Sequence, residues 1–192
     1  MKIIGINAYH ADSSACILID GELITAVEEE RFNRVKHWAG FPIESIKHCL
    51  EETELKISDI DQISINIDPK ANFLKKIIFL IKHRPNFNLI LQRIKKKNKI
   101  NSIEEIINNE FDNKKFKGKI NNIEHHYAHL SSAFHVSPYD ESCVLSVDGF
   151  GDFASTAWGY GVNTDIKIDD KIFYPHSLGI FYQALTQFLG FK

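Results

Sequence analysis

Lys2-Ile3-Ile4-Gly5-Ile6-Asn7-Ala8, Ala15-Cys16-Ile17-Leu18-Ile19-Asp20 and Leu23-Ile24-Thr25-Ala26-Val27-Glu28-Glu29-Glu30 are three strand-like runs within the first thirty residues. Only the loop Tyr9–Ser14 and a tight turn at Gly21-Glu22 separate them. Neither connector can hold the dozen or so residues of a parallel crossover. The three runs therefore predict an antiparallel meander and not a βαβ unit.

Working outward, Phe41-Pro42 opens a helix that carries Ile43, Ile46, Cys49 and Leu50 on one face. Residues 59–67 alternate like a half-buried strand. The lysine-rich stretch that follows and residues 102–112 have helical spacing. Residues 119–124 form a strand leading into a helix from about 125 to 136. Ser142-Cys143-Val144-Leu145-Ser146-Val147-Asp148 reads as the best central strand. Residues 153–161 and 165–173 pair as a hairpin, and 178–189 form a last helix. Strand, strand, strand, helix, strand, with a later strand ending in Asp-Gly, predicts an α/β chain with a mixed sheet. The class is ribonuclease-H-like or actin-like, and one half of such a fold is present. In that class the first hairpin and the later Asp-Gly turn face a nucleotide cleft. No internal sequence repeat of 20–50 residues is visible.

The 192 residues suffice for one domain or slightly more. Hydrophobic residues at 44% and charged residues at 25% are ordinary globular usage. The net charge of -2 selects no polyanionic partner, but its distribution is uneven. Pro69 to Ile103 holds ten Lys or Arg and no Asp or Glu, leaving 13 basic residues against 25 acidic ones elsewhere. This stretch reads as a basic helical insertion, about 69–116, packed on its own domain with a solvated face. A membrane-surface role for it is disfavoured. No helix-turn-helix, zinc finger or RNP aromatic pattern points to specific nucleic-acid binding. Cys16, Cys49 and Cys143 are odd in number and far apart, which predicts reduced, mostly buried thiols in a cytoplasmic protein. The chain opens directly on a strand with no signal-peptide pattern.

His125 and His129 stand four apart, so a helix puts both imidazoles on one face. They can chelate one cation, or they can be surface and cap residues. A zinc protease is disfavoured, because the general-base Glu of that motif is replaced by His126. Asp148 ends a buried strand, where α/β sheets hold their ligands. It completes a two-His, one-carboxylate set suited to Fe(II), Zn(II) or Mn(II), or it caps its turn.

Gly149 and Gly151, ahead of Asp152, let backbone N–H groups approach an anion, or form a plain hairpin. His10-Ala11-Asp12-Ser13-Ser14 supplies an imidazole, a carboxylate and hydroxyls between two strands, or is an ordinary turn. In Glu28 to Trp38, an extended backbone would put Arg34 and Lys36 on one side, where they could hold a phosphate; the alternative is solvated surface.

These segments, in this order, resemble the O-carbamoyltransferase family that modifies nodulation factors, antibiotics and some glycans. The resemblance is carried by Gly5-Ile6-Asn7, His10 to Ala15, Glu28 to His37, Phe41-Pro42, His125 to Ala133 and Val147 to Asp152. It implies a domain similar to the tRNA threonylcarbamoyl-adenosine transferase, with an actin-like fold. It also implies a reaction from carbamoyl phosphate and ATP, through a carbamoyl-adenylate, to a hydroxyl of a small molecule or glycan. By motif match, His125, His129 and Asp148 would hold iron. His10, with Asp12 beside it, would lie near the acceptor hydroxyl, where a neutral imidazole can take a proton. Lys36 would contact the carbamoyl donor or its phosphate. Gly149, Gly151 and Asp152 would line the nucleotide, and Ser13, Ser14 and Arg34, read from their residue types alone, are its further binding candidates. Family members are roughly three times longer. The resemblance therefore implies that a fourth ligand, much of the nucleotide site and a YrdC-like domain lie on a further segment, in cis or in trans.

Overall fold

The computed structural model describes residues 1–83, 103–111 and 116–191, so the later part of the basic stretch lies outside the described residues. The chain divides into two compact units. One comprises Met1–Asn66 and Asn88–Asn122, the other Ile67–Phe87 and Ile123–Lys192.

The first unit is built on the expected meander, β1 (Lys2–Asn7), β2 (Ser14–Ile19) and β3 (Glu22–Glu28). Asp20 and Gly21 both have positive φ, the geometry of the tight hairpin turns that match strand twist. β4 (Gln62–Ile65) joins β1 in parallel, and β5 (Lys119–Asn122) joins β4 in parallel. The sheet order is β3-β2-β1-β4-β5, a mixed sheet with β1 paired on both sides. Period-two alternation buries Ile4, Ile6, Ala15, Ile17, Ile63 and Ile65. Gly5 lies opposite Cys16, and a Cβ there would come within 2.9 Å of the Cys16 sulfur. A small residue on β1 thus makes room for the thiol of β2.

A one-turn helix, α1 (Glu30–Asn33), replaces the extended backbone expected after β3. Arg34 ends it at φ 60. Arg34 and Lys36 therefore do not project together from an extended strand. The acidic run is not simply solvated either. Glu29 is 5% exposed and accepts hydrogen bonds from the Glu44 and Ser45 N–H groups (3.2 and 2.8 Å) and the Ser45 hydroxyl (2.8 Å). These are first-turn groups of α2 (Ile43–Glu52), which a helix cannot satisfy internally. Ser45 is buried together with Ile46, Cys49 and Leu50 of α2. In α4 (Ile103–Glu110), Ile103 and Ile107 are buried one turn apart.

In the second unit β6 (Glu141–Gly151), β7 (Ala154–Val162) and β8 (Asp165–Phe173) form an antiparallel sheet in that order. Two helices pack on it, α5 (His125–Phe134) and α6 (Leu178–Phe188). Leu130, Phe134, Val144, Ala157 and Ile166 make the core. Gly161 leaves room for the Phe134 ring, which a Cβ would meet at 2.6 Å. α3 (Phe73–His83) also belongs to this unit, with Phe79 edge-on to Phe153 and Tyr174.

Two expectations are corrected here. β6 is an edge strand among the described residues and not a central one, and its outer face leaves Cys143, Leu145 and Val147 exposed. The more apolar face, Cys143, Leu145 and Val147, is the uncovered one, and the covered side carries Val144 and Ser146. Cys143 is accordingly an exposed thiol, whereas Cys49 is buried. Meander-then-helix occurs in both units (β1-β2-β3 to α2, β6-β7-β8 to α6), a recurrence that the dissimilar sequences hide. No described helix is long and apolar enough to cross a membrane.

Candidate metal centre

α5 begins at His125, so His125 and His129 share a face one turn apart, as their spacing requires. β6 delivers Asp148 to the same point. His125 Nε2 lies 2.8 Å from Asp148 Oδ2, 3.0 Å from His129 Nε2, and His129 Nε2 lies 3.8 Å from the same carboxylate oxygen. One donor atom from each residue falls within 4.8 Å of the others, the one such potential metal cluster among the described residues. Two imidazole nitrogens on one ion, each at about 2.1 Å, stand roughly 3 Å or slightly more apart, so this donor set fits a single cation.

The electrostatics agree. The His125 imidazole, then that of His129, holds the Asp148 carboxyl far below the usual carboxylate range. The Asp148 hydrogen bond raises His129 above the ordinary imidazole value. A carboxylate held ionised is a ready ligand. Between the two imidazoles in sequence, His126 is fully buried, and its Nδ1 lies 2.9 Å from the Ser146 hydroxyl. Burial lowers its pKa and favours the neutral ring. His126 therefore packs behind the cluster and is not one of its converging donors.

The cluster is held from three directions. Glu124 caps α5 by accepting the Tyr127 N–H (2.8 Å), and its other oxygen meets Lys171 Nζ at 2.8 Å. Burial alone would raise the Glu124 pKa; the Lys171 and Tyr127 bonds outweigh it and leave the carboxyl lowered. Ser177, the N-cap of α6, donates to the carbonyls of Asp148 and Gly149 (3.1 and 2.8 Å). At Gly179 a Cβ would lie 2.5 Å from the Asp148 carbonyl oxygen, so α6 starts directly against the ligand's backbone. Sequence reasoning passed over Glu124, Ser177 and Gly179. The only available signal was that Glu and Ser each stand immediately before a helical run.

Gly149, Gly151 and Asp152 follow Asp148 in the second unit, whereas His10, Asp12, Ser13, Ser14, Arg34 and Lys36 lie in the first, on two loops that the structure ties together. Tyr9 N–H donates to Gly40 O (3.1 Å), Ser13 N–H to Trp38 O (3.0 Å), and the Ser13 hydroxyl to Gly40 O (2.8 Å). His37 Nδ1 meets Asp12 Oδ1 at 2.9 Å. Asn7 Nδ2 donates to the Ala11 and Asp12 carbonyls, and Asn66 Nδ2 to Asn7 Oδ1. His10 and Asp12 are thus joined to the segment carrying Arg34 and Lys36. Ser13 is fully buried and spends its hydroxyl within these loops, while Ser14 lines an open groove with Asn7, Glu28, Arg31 and Asn66. Tyr9, Asp12, Arg34 and His37 all have positive φ, a concentration of non-glycine strain of the kind that gathers at functional sites. Neither His37 nor the Asn7–Asn66 link stood out in the sequence.

Residues 2–192 match the family described as Carbamoyltransferase N-terminus. The chain belongs to this family. The match runs through both units and includes every candidate named above. Among curated relatives, this family member is 34% identical to an uncharacterised protein of Synechocystis sp., over 99% of this chain and 32% of that one. It is 31% identical to the nodulation protein NolNO of Sinorhizobium fredii, over 96% of this chain and 26% of that one. The chain thus spans about a third or less of the length of these relatives. Among solved structures, YeaZ from Pseudomonas aeruginosa aligns with a TM-score of 0.50 at 8% identity, over 91% of this chain and 68% of that one. That likeness concerns the fold alone, and the family member's mixed α/β architecture is of the actin-like class.

Proposed function

We propose that this chain forms the transferase-site part of an O-carbamoyltransferase. The carbamoyl group would arrive as a carbamoyl-adenylate made from carbamoyl phosphate and ATP, and leave on a hydroxyl of a small molecule or glycan. The observation that carries this reading is the convergence of His125, His129 and Asp148 in a chain of the carbamoyltransferase family. Fe(II) is the proposed ion, and Zn(II) and Mn(II) also suit two imidazoles and a carboxylate. When bound, it supplies Lewis-acid stabilisation of charge on the phosphate leaving group.

The chain's own residues divide the remaining work. His10 accepts the proton of the acceptor hydroxyl as that oxygen bonds to the carbamoyl carbon; the bond from that carbon to phosphate breaks, and AMP leaves. Asp12 holds the loop edge beside it through His37. Lys36 and Arg34 offset phosphate charge. Ser13 fixes the loop, Ser14 borders the groove, and Gly149 brings backbone close to the nucleotide. Free Cys16, Cys49 and Cys143 support a reducing, cytoplasmic setting. The relatives' greater length supports a further segment that completes the nucleotide site and the ligand set.

The test is the metal content of the anaerobically purified protein, beside a His125→Ala/His129→Ala variant. Near-stoichiometric iron that disappears in the double variant is expected. Equal metal in both proteins, or none in the parent, would remove the metal centre. The 192-residue chain alone is expected to show no turnover with ATP, carbamoyl phosphate and acceptor. Robust carbamoylation by it would refute the need for a further segment.

A further inference from the structure

We infer that Gly151 and Asp152 are positioning residues of the metal centre and not walls of a nucleotide site. This rests on the proposal that His125, His129 and Asp148 hold a metal ion.

The end of β6 and the turn that follows it are shaped around one imidazole. Gly151 is buried, and a Cβ on it would lie 1.9 Å from His125 Cδ2 and 2.1 Å from Cγ. Those are ring atoms of a side chain pinned at Nε2 by Asp148, so the ring cannot swing aside and keep that bond. Glycine is therefore required here by the ligand itself. Asp152 then grips the same residue from its backbone. Its Oδ2 accepts the His125 N–H at 2.9 Å and the Asp68 N–H at 2.8 Å. The His125 N–H belongs to the first turn of α5 and has no partner within the helix, so a carboxylate there fixes where the helix starts. Asn72 Nδ2 donates to the Asp152 carbonyl at 2.9 Å, and the residue sits at φ 46, a conformation that Asp and Asn tolerate better than most.

One strand end and its turn thus set two ligands. Asp148 lies on the strand, and His125 is held by Gly151 at the strand's end and by Asp152 just after it. Gly149 behaves differently. Among the described residues, a Cβ there would meet only Ile180 Cδ1, at an ordinary 3.6 Å, so no described packing demands glycine at that position. The close-approach role for a nucleotide therefore stays with Gly149.

The experiment uses Co(II) as the metal probe and three variants. Asp152→Gly removes the carboxylate while tolerating the positive φ. Asp152→Asn keeps an acceptor oxygen and the backbone preference. Gly151→Ala adds the Cβ. Outer residues that orient metal ligands typically contribute 10–100-fold in affinity. Asp152→Gly and Gly151→Ala are each expected to weaken Co(II) binding by about 10–100-fold, with Asp152→Asn restoring most of the loss. In metal-free protein, Asp152→Gly is expected to speed hydrogen exchange at the His125 and Asp68 amides. At saturating Co(II), ATP affinity is expected to stay at the parent level in Asp152→Gly.

Unchanged Co(II) affinity and His125 amide protection in Asp152→Gly would overturn the inference. So would a loss of ATP binding at saturating metal, which would return Asp152 to the nucleotide. A parent protein that binds no Co(II) would overturn the metal reading and this inference together. Co(II) bound equally well by parent and variants would overturn this inference alone.

Discussion

His125 Nε2 lies 2.8 Å from Asp148 Oδ2, although 23 residues, a helix and most of a strand separate them in the chain. Each partner explains the other's state. The imidazole keeps the carboxyl ionised, and the carboxylate fixes the direction of the ring. A ligand pair already paired needs little reorganisation to accept a cation.

The first prediction follows from that pair. Asp148→Asn keeps the shape and removes the charge, and should weaken Co(II) or Zn(II) binding at least tenfold without lowering the thermal midpoint of the metal-free protein by more than a few degrees. Competition with a chromogenic chelator measures the first quantity and calorimetry the second. Parent-like affinity would show that the carboxylate is only a turn cap.

A second prediction concerns Glu29. Its buried carboxylate serves two N–H groups and a hydroxyl at the start of α2. Leaving buried donors without acceptors costs about 1–3 kcal/mol. Glu29→Ala should therefore lower the unfolding free energy by roughly 2–4 kcal/mol, and Glu29→Gln by clearly less. Urea denaturation separates the two. Equal effects of both variants would show that the negative charge and paired acceptor oxygens of the carboxylate, and not a single amide oxygen or the side-chain volume, matter there.

The division between what could and could not be read beforehand has a physical cause. The meander, the helix from 125 and the i, i+4 histidines depend on periods of two and 3.6, which are local properties of the sequence. The Asp-Gly step near the end of β6 is equally local. The turn at Arg34 is not, because a non-glycine residue at φ 60 is held by its surroundings and leaves no compositional mark. The same applies to Glu29, which looks like one more charge in a run until its distant partners are known. Cys143 shows the reverse failure. An apolar run predicts burial on both faces, but burial depends on what covers each face, and periodicity carries no such information.

A third prediction tests the packing of the second unit. Gly161 faces the Phe134 ring, and an added Cβ would come within 2.6 Å of it. Overpacking of this kind typically costs about 1–3 kcal/mol. Gly161→Ala should destabilise by that amount, and Gly161→Ala/Phe134→Leu should recover part of it. A single variant as stable as the parent would mean that the ring relocates freely.

The last prediction concerns the thiols. Burial raises the Cys49 pKa to about 11, with a smaller contribution from Cys16, and burial raises Cys16 as well. The thiolate is the reactive form, so neither should react readily near pH 8. Cys143 is exposed and should be labelled first by a disulfide reagent. One fast thiol and two slow ones are therefore expected in the native protein, and Cys143→Ser should abolish the fast phase. The sign of the stability effect follows from the same shift. A thiol whose folded pKa lies above its unfolded value stabilises the fold by an amount fully present below the unfolded value. That contribution is lost as pH rises through the folded value. Stability should therefore decline from about pH 9 toward pH 11, and Cys49→Ala should flatten that decline. A fast thiol that persists in Cys143→Ser would show that Cys16 or Cys49 is reached by solvent, against the packing of α2 on β2.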